Sequence, residues 1–291
     1  MDMLLRQLYQ DRASEEDTFA ILTIEKETSP LSILDGFDSV VLVIKNDPKV
    51  DWHVKHYQVG EEKVALHSLS QTTMHYSLIA GTHRRLVDWL FHGKIVFDRN
   101  EFLQGVKERI DTFPPGDRMK KMTIQFSKML RRFDEGKTLF HHHHTFDAFS
   151  NMMHALHHLA RLAVIRHGFY PEVTVWEQVK RIEPETYKLY QELLKSEESL
   201  EKRIQLFILA TELAVRSKTK VGSEHFLSLL HGKEEGWTIA EMMEIPEVQE
   251  YRIDLELLVN FLIEKEYLVV DQRETKAKGI QHLRYQLKNS N

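Results

Sequence analysis

The sequence predicts three successive folds in one chain: an α+β unit on a small mixed sheet, an antiparallel helical bundle, and a C-terminal winged helix-turn-helix. Three patterns carry this prediction. Short β-branched runs bounded by turn residues recur through the first third of the chain. From Phe102 onward apolar residues repeat at helical spacing almost without a break. The last stretch reads as short helices followed by two alternating strands, the order of a winged helix. The corresponding domains are 1–112, 113–216 and 217–291.

Taken in order, Met1–Arg12 places leucines at 4, 5 and 8 with Tyr9 on one helical face. Thr18–Ile24 is apolar and β-branched, a strand that ends in the charged turn 25–29. Asp35–Gly36–Phe37–Asp38 then runs into Ser39–Lys45, whose five apolar residues in a row predict a buried strand with carboxylates at its entrance. Asp-Gly is also an ordinary turn dipeptide. Trp52–Val59 and Lys63–Ser70 flank Gly60 and read as a hairpin. His83–His92 is amphipathic and helical, and Lys94–Phe97 is a short strand leading to Asp98. Pro114–Pro115–Gly116 is the plainest punctuation in the chain, after which Asp117 caps a helix to about Phe133. Helices are expected at Thr145–Arg166, Pro184–Lys195 and Leu200–Arg216, with the stretch from Pro171 to Glu183 less regular. In the last domain, Glu224–Leu230, Thr238–Met243 and Ile253–Lys265 are helical, and Tyr267–Asp271 and Ile280–Leu287 form the wing.

Composition narrows the function. The net charge of −5 argues against nonspecific nucleic-acid binding by the whole molecule. Only the middle third is basic, with 18 Lys+Arg against 15 Asp+Glu, so a polyanion held by charge is expected there. With no cysteine in the chain, disulfides, thiolate metal sites and cysteine nucleophiles are excluded. No apolar run is long enough to span a bilayer and the N-terminus is a poor signal peptide, so the expected compartment is the cytoplasm with no membrane partner. Neither G-x-G-x-x-G nor G-x-x-x-x-G-K-[ST] occurs.

The strand order, the acidic turn, the hairpin and the stretch RRLVDWLFHGKIVFDR at Arg84–Arg99 together resemble nucleotidyltransferase-fold proteins of the aminoglycoside-adenylylating kind. Length and the winged C-terminus are most similar to the YgxA-type nucleotidyltransferase-like family of low-GC Gram-positive bacteria. The resemblance implies an N-terminal nucleotidyltransferase-like domain and a helical substrate-binding-like domain, with ligand in the cleft between them. Enzymes of this fold carry Gly-Ser after the first strand, two acids spaced Asp-x-Asp/Glu on the second and a third acid on a later strand. Those acids hold Mg²⁺ against the triphosphate.

This chain departs from that pattern at each point. Glu25–Lys26 stands where Gly-Ser is expected. Asp35 and Asp38 are three apart, so on a strand they would not share a face. The strand matching the third acid reads Val64–Ala65–Leu66–His67, and a lone histidine on a strand is usually structural.

The function expected is therefore that of a degenerate member, a pseudoenzyme that binds a nucleotide or nucleotide-bearing ligand. One alternative is an active metal-dependent nucleotidyltransferase with a nonstandard acid set: Asp35 and Asp38 as catalytic and metal-binding residues, Mg²⁺ as cofactor, and Asp98 as the nearest third acid. Another is a regulator that contacts DNA or a protein partner through its winged helix, and a ligand-free scaffold is a third.

Nucleotide contacts are expected on two helices. Lys120, Lys121 and Arg131 lie on the basic helix, beside Lys128 and Arg132. His154, His158 and Arg161 continue Asp147 and Asn151 along one face of the next helix, opposite Phe149, Met153, Leu156 and Ala160. Arg161 and His167 also make an Arg-x₅-His spacing of the kind seen in HEPN ribonucleases. His141–His144 reads as a solvated loop or helix start, with metal binding a minor property of the imidazoles. The expected reading helix, Ile253–Lys265, presents Asp254, Glu256 and Glu264, which disfavours DNA and favours protein contact or internal packing. Backbone contacts to DNA would fall to Arg273, Lys276, Lys278 and Arg284 of the wing.

Overall fold

The computed structural model describes residues 2–26, 35–46, 51–83, 85–277 and 279–288, with side chains of the first helix from Arg6 onward. Arg84, Lys278 and residues 27–29 lie outside the described residues. The chain divides into two compact units, Met1–Pro114 with Gly168–Thr174, and Pro115–His167 with Val175–Asn291.

The first unit comprises α1 (Asp2–Ser14), β1 (Thr18–Glu25), β2 (Ser39–Lys45), β3 (Trp52–Val59), β4 (Glu62–Ser70), α2 (Gln71–Ala80), α3 (Arg85–His92), β5 (Lys94–Asp98) and α4 (Phe102–Thr112). Its five strands are ordered β3-β4-β2-β1-β5, with β2 and β4 parallel and the other neighbours antiparallel. Strand β2 is central and buried on both faces, which is why it reads as an unbroken apolar run. Alternation sends Val41 and Val43 to one face, where they join Ile21, Val64 and Leu66 beneath Leu8 and Tyr9 of α1. By the same alternation His67 shares the opposite face with Ala65 and Leu69.

Helix α2 was not expected from the sequence. It is short, rich in hydroxyls and weakly amphipathic, so its signal is in its ends. The Ser70 hydroxyl accepts from the Thr73 N–H at 3.0 Å, and Gly81 closes the helix at φ 68°, a conformation glycine adopts without cost.

The second unit comprises α5 (Pro115–His141), α6 (Thr145–Arg166), α7 (Val175–Ile182), α8 (Pro184–Lys195), α9 (Leu200–Leu229), α10 (Ile239–Met243), a 3₁₀ segment (Pro246–Asp254), α11 (Leu255–Glu264), β6 (Leu268–Glu274) and β7 (Gln281–Leu287). Three expectations are revised. Helix α5 continues two turns past Phe133 to His141. The stretch expected to be less regular contains α7, whose Val175 and Val179 pack on Ala160 and Val164. The helices expected at Leu200–Arg216 and Glu224–Leu230 are one uninterrupted helix, α9. No proline or left-handed residue breaks α9, and its only glycine, Gly222, marks a close approach rather than a bend.

The winged element is complete. Trp237 bridges Tyr285 by two backbone hydrogen bonds, which ties the segment before α10 to the β6–β7 ribbon. Thr238 and Glu241 form a reciprocal capping box at the start of α10.

Helix α5 lies at the centre of this unit, packed on α6, α9, the 3₁₀ segment and α11. Its crossing with α9 depends on Gly222, where an added Cβ would meet Phe126 Cγ at 2.5 Å. Alanine gains roughly 0.5–1 kcal/mol of helix propensity there, but overpacking costs about 1–3 kcal/mol, so the steric term wins. Gly222→Ala is expected to lower the urea midpoint by about 1–2 kcal/mol of stability, and an unchanged or higher midpoint would contradict the packing described.

Candidate functional site

The turn Asp35–Gly36–Phe37–Asp38, which anchors β2, is built by its own acids. Asp35 and Gly36 both have positive φ, 52° and 82°, a left-handed pair that Asp and Gly tolerate better than other residues. The Asp38 carboxylate accepts the Lys63 N–H at 2.9 Å, while its backbone N–H donates to the Lys63 carbonyl at 2.9 Å and its carbonyl accepts from Lys26. Asp38 thus ties the start of β4 to the starts and ends of its neighbours. Asp35 extends a carboxylate oxygen to the guanidinium of Arg85 at the start of α3. The two acids are engaged in different directions. Asp98, expected as the nearest third acid, cannot join them. It pairs with Ala20 on β1 and accepts the Leu103 N–H at 3.0 Å, whereas Ser39, next to Asp38, pairs with Glu25. Five residues of β1 separate those levels, roughly 16 Å along the strand. Among the described residues no group of three or more His, Asp or Glu is placed to hold a metal ion.

What stands beside Arg85 is an aromatic and imidazole cluster that the sequence did not reveal. The indole N–H of Trp52 donates to His67 Nδ1 at 2.9 Å. The His83 ring stacks on Trp52 at 3.9 Å between centroids, and the His67 ring meets Trp89 edge-on at 5.0 Å. The Arg85 guanidinium lies 5.7 Å from the Trp89 ring centre. Burial, and next the positive charge of Arg85, push His67 down to about 4. His83 is lowered by the same two causes in the same order. The signal was present as isolated residues at 52, 67, 83, 85 and 89, but the β3–β4 register and the position of α3 bring them together.

On the helical unit the six expected nucleotide contacts separate into a cluster of three, two that pair with acids and one exposed histidine. Lys121 is buried on α5, with Lys128 one helical face along and Arg161 across on α6. Burial first, then those two cations, lower Lys121 to about 7. His158 Nδ1 lies 2.9 Å from Gln125 Oε1 and 3.5 Å from Arg161 Nη1, so α6 turns part of its polar stripe onto α5. Asn151 does the same, accepting from Arg132 at 3.2 Å, whereas His154 faces solvent.

Lys120 and Arg131 are occupied elsewhere. Lys120 pairs with the nearly buried Glu250 at 2.7 Å, and Arg131 pairs with the fully buried Asp254. Both acids belong to the 3₁₀ segment that leads into α11. The basic helix is therefore no solvent face; its charges are drawn inward on several sides.

The remaining expectations resolve plainly. His141–His144 are exposed in the α5–α6 turn. His167 is bound to the carbonyl of Ala163 at 2.9 Å, beyond the end of α6, and Arg161 faces the α5 cluster instead. In the winged element Arg273 is held by Asp271 and the Glu235 carbonyl, and Arg284 by the Gly236 carbonyl at 2.9 Å.

His67 supplies a direct check on this geometry. Folding lowers its proton affinity, so between about pH 4 and 6.5 the unfolded chain binds more protons. Its contribution to stability is complete above pH 6.5 and declines as pH falls through that window. In ¹H–¹³C spectra the His67 ring is expected to titrate at about 4, and Arg85→Gln is expected to raise the midpoint. A midpoint at the ordinary value of 6.5 would mean that His67 is neither buried nor beside Arg85.

Comparison with known proteins agrees with this architecture along the whole chain. Residues 1–118 match the family described as Nucleotidyltransferase-like, 119–218 the YgxA-like substrate binding domain, and 224–287 a Helix-turn-helix domain. The uncharacterized protein YgxA of Bacillus subtilis (strain 168) is 38% identical over 288 residues, covering 99% of this chain and 98% of the relative. The crystal structure of a nucleotidyltransferase-like protein from Exiguobacterium sibiricum 255-15 is also 38% identical, covers 99% of each chain and superposes with a TM-score of 0.83. The chain therefore belongs to the YgxA-like family of nucleotidyltransferase-like proteins.

Proposed function

We propose that this protein recognises a nucleotide or nucleotide-bearing ligand without efficient nucleotidyl transfer. The observation that carries the reading is the use made of the acids: Asp38 caps β4, Asp35 is paired to Arg85, and Asp98 lies at the other end of β1. Two-metal phosphoryl transfer needs carboxylates that converge on one point. These do not, so the residues present do not fit Mg²⁺ and no transfer step is assigned to them.

Affinity for an anionic ligand is supported by the α5–α6 cluster. Burial first, and then the charges of Lys128 and Arg161, disfavour the ammonium form of Lys121, so cationic groups gather at this place on the helical unit. His158 adds a ring nitrogen to the same cluster. The test is calorimetric titration of ATP, GTP and CTP into the full chain, with and without Mg²⁺. Binding in the micromolar range is expected, weakened about tenfold by Arg161→Ala. No binding of any nucleotide would overturn the reading, as would Mg²⁺-dependent turnover lost in Asp38→Ala.

A second reading, contact with DNA, is favoured by the helix-turn-helix domain itself. Such domains lead into the major groove with the N-terminal end of the reading helix. Here the residue before α11, Asp254, is buried against Arg131, and the exposed positions Glu256 and Glu264 are acidic. We infer that this helix serves internal packing or a protein contact. Fluorescence anisotropy with mixed-sequence duplexes is expected to show only weak, salt-sensitive association, on the order of 10⁻⁴ M at physiological salt. Nanomolar binding to any duplex at that salt would reverse the assignment.

A further inference from the structure

We propose that the cluster of His67, His83 and Arg85 in the nucleotidyltransferase-like domain is a metal-free site for the phosphate groups of the ligand, with Asp35 as an internal competitor for Arg85. The proposal deepens the nucleotide reading above and rests on it for the choice of phosphate over other anions.

The argument begins with the tautomer of His67. Indole N–H can only donate, so the 2.9 Å contact from Trp52 makes Nδ1 the acceptor. In the neutral ring the proton must then sit on Nε2, which is left as a donor. Stacking of His83 on Trp52 fixes the other side of the indole, so the orientation of His67 is set by packing from two directions. Arg85 contributes a fork of donors suited to phosphate oxygens. Behind them the Trp89 indole N–H is sealed from solvent and has no hydrogen-bond partner among the described residues. That sealed donor lies out of reach of a ligand from solvent, so Arg85 and His67 Nε2 are the donors on offer. With Asp35 displaced, the cluster offers donors and one guanidinium charge, a setting for an anion.

Asp35 supplies the second half of the argument. Its carboxylate already occupies Arg85, so the site holds an anion of its own. Asp35 is exposed and rides on a left-handed turn, while Arg85 is the less exposed partner. A phosphate arriving from solvent meets a guanidinium whose resident carboxylate can be displaced outward. The same acid that the metal reading would use to attract Mg²⁺-bound phosphate thus opposes phosphate here. The two mechanisms predict opposite signs for one substitution.

The test is titration of ATP, inorganic tripolyphosphate and adenosine into the full chain in EDTA, followed by calorimetry and tryptophan fluorescence, since Trp52 and Trp89 report on the cluster. Metal-independent binding of ATP and tripolyphosphate is expected, with adenosine much weaker. Arg85→Gln is expected to weaken both about tenfold or more, and Asp35→Asn to tighten them by about threefold. His67→Gln, which keeps a donor, should retain more affinity than His67→Leu, and circular dichroism of each variant checks that it folds. Weakening by Asp35→Asn, or a strict need for Mg²⁺, would overturn the site while leaving nucleotide recognition intact. So would ATP binding that ignores Arg85→Gln but falls in Arg161→Ala. Tripolyphosphate binding lost in Arg85→Gln, with no ATP binding, would support the site and remove the nucleotide reading. Absence of all binding would overturn both.

Discussion

Everything in the helical unit depends on charge buried along α5. That helix meets other elements on nearly every side, yet it carries Lys120, Lys121, Lys128, Arg131 and Arg132. Packing such a helix requires a partner for each cation as water is removed. The 3₁₀ segment provides two of them, Glu250 and Asp254, each with one oxygen paired and the other buried without a partner among the described residues. Buried pairs of this sort contribute little net stability compared with apolar packing, because desolvation offsets the attraction. Breaking one is another matter, since the remaining charge is stranded. Their effect is to fix which surface of the winged element faces the bundle. The winged element follows from this constraint: α11 starts where Asp254 is pinned, and the wing follows α11.

The anchor turn shows the same economy applied to a different end. An Asp-Gly turn followed by a buried strand was legible in the sequence, and so was the mismatch between its acids and a metal site. What could not be read was where each carboxylate goes. Asp38 reaches a backbone N–H twenty-five residues later, and Asp35 an arginine fifty residues later. Both partners are set by register and by the position of α3, neither of which has a local signature. The fold has kept the turn and the strand while the groups around them favour anions. A nucleotidyltransferase-like sheet does not by itself imply nucleotidyl transfer.

Legibility followed periodicity. β2, with five apolar residues in a row, and α6, with a long amphipathic repeat, were found within a residue or two. α2 was missed because its cap residues, Ser70 and Gly81, are its only strong features. α5 was legible as a basic amphipathic helix with nucleotide contacts expected on it; sequence spacing shows which residues share a side, not what covers that side. Lys121 illustrates the point: nothing next to it in sequence distinguishes it from Lys120, yet Lys121 is buried and Lys120 only half-buried. The His67 cluster was invisible for the reason that most sites are. Its members come from β3, β4, α3 and the loop before α3, and each is unremarkable alone.

Helix α9 runs thirty residues without a break, about 45 Å, from the bundle into the first helix of the winged element. The regions matching the substrate-binding and helix-turn-helix families meet inside it, between 218 and 224. A boundary drawn from family resemblance is therefore not a joint in the molecule. Excising the C-terminal family region would shear a helix in mid-turn and expose the Phe126 contact at Gly222. A recombination event that swaps either half must preserve the helical phase across the seam.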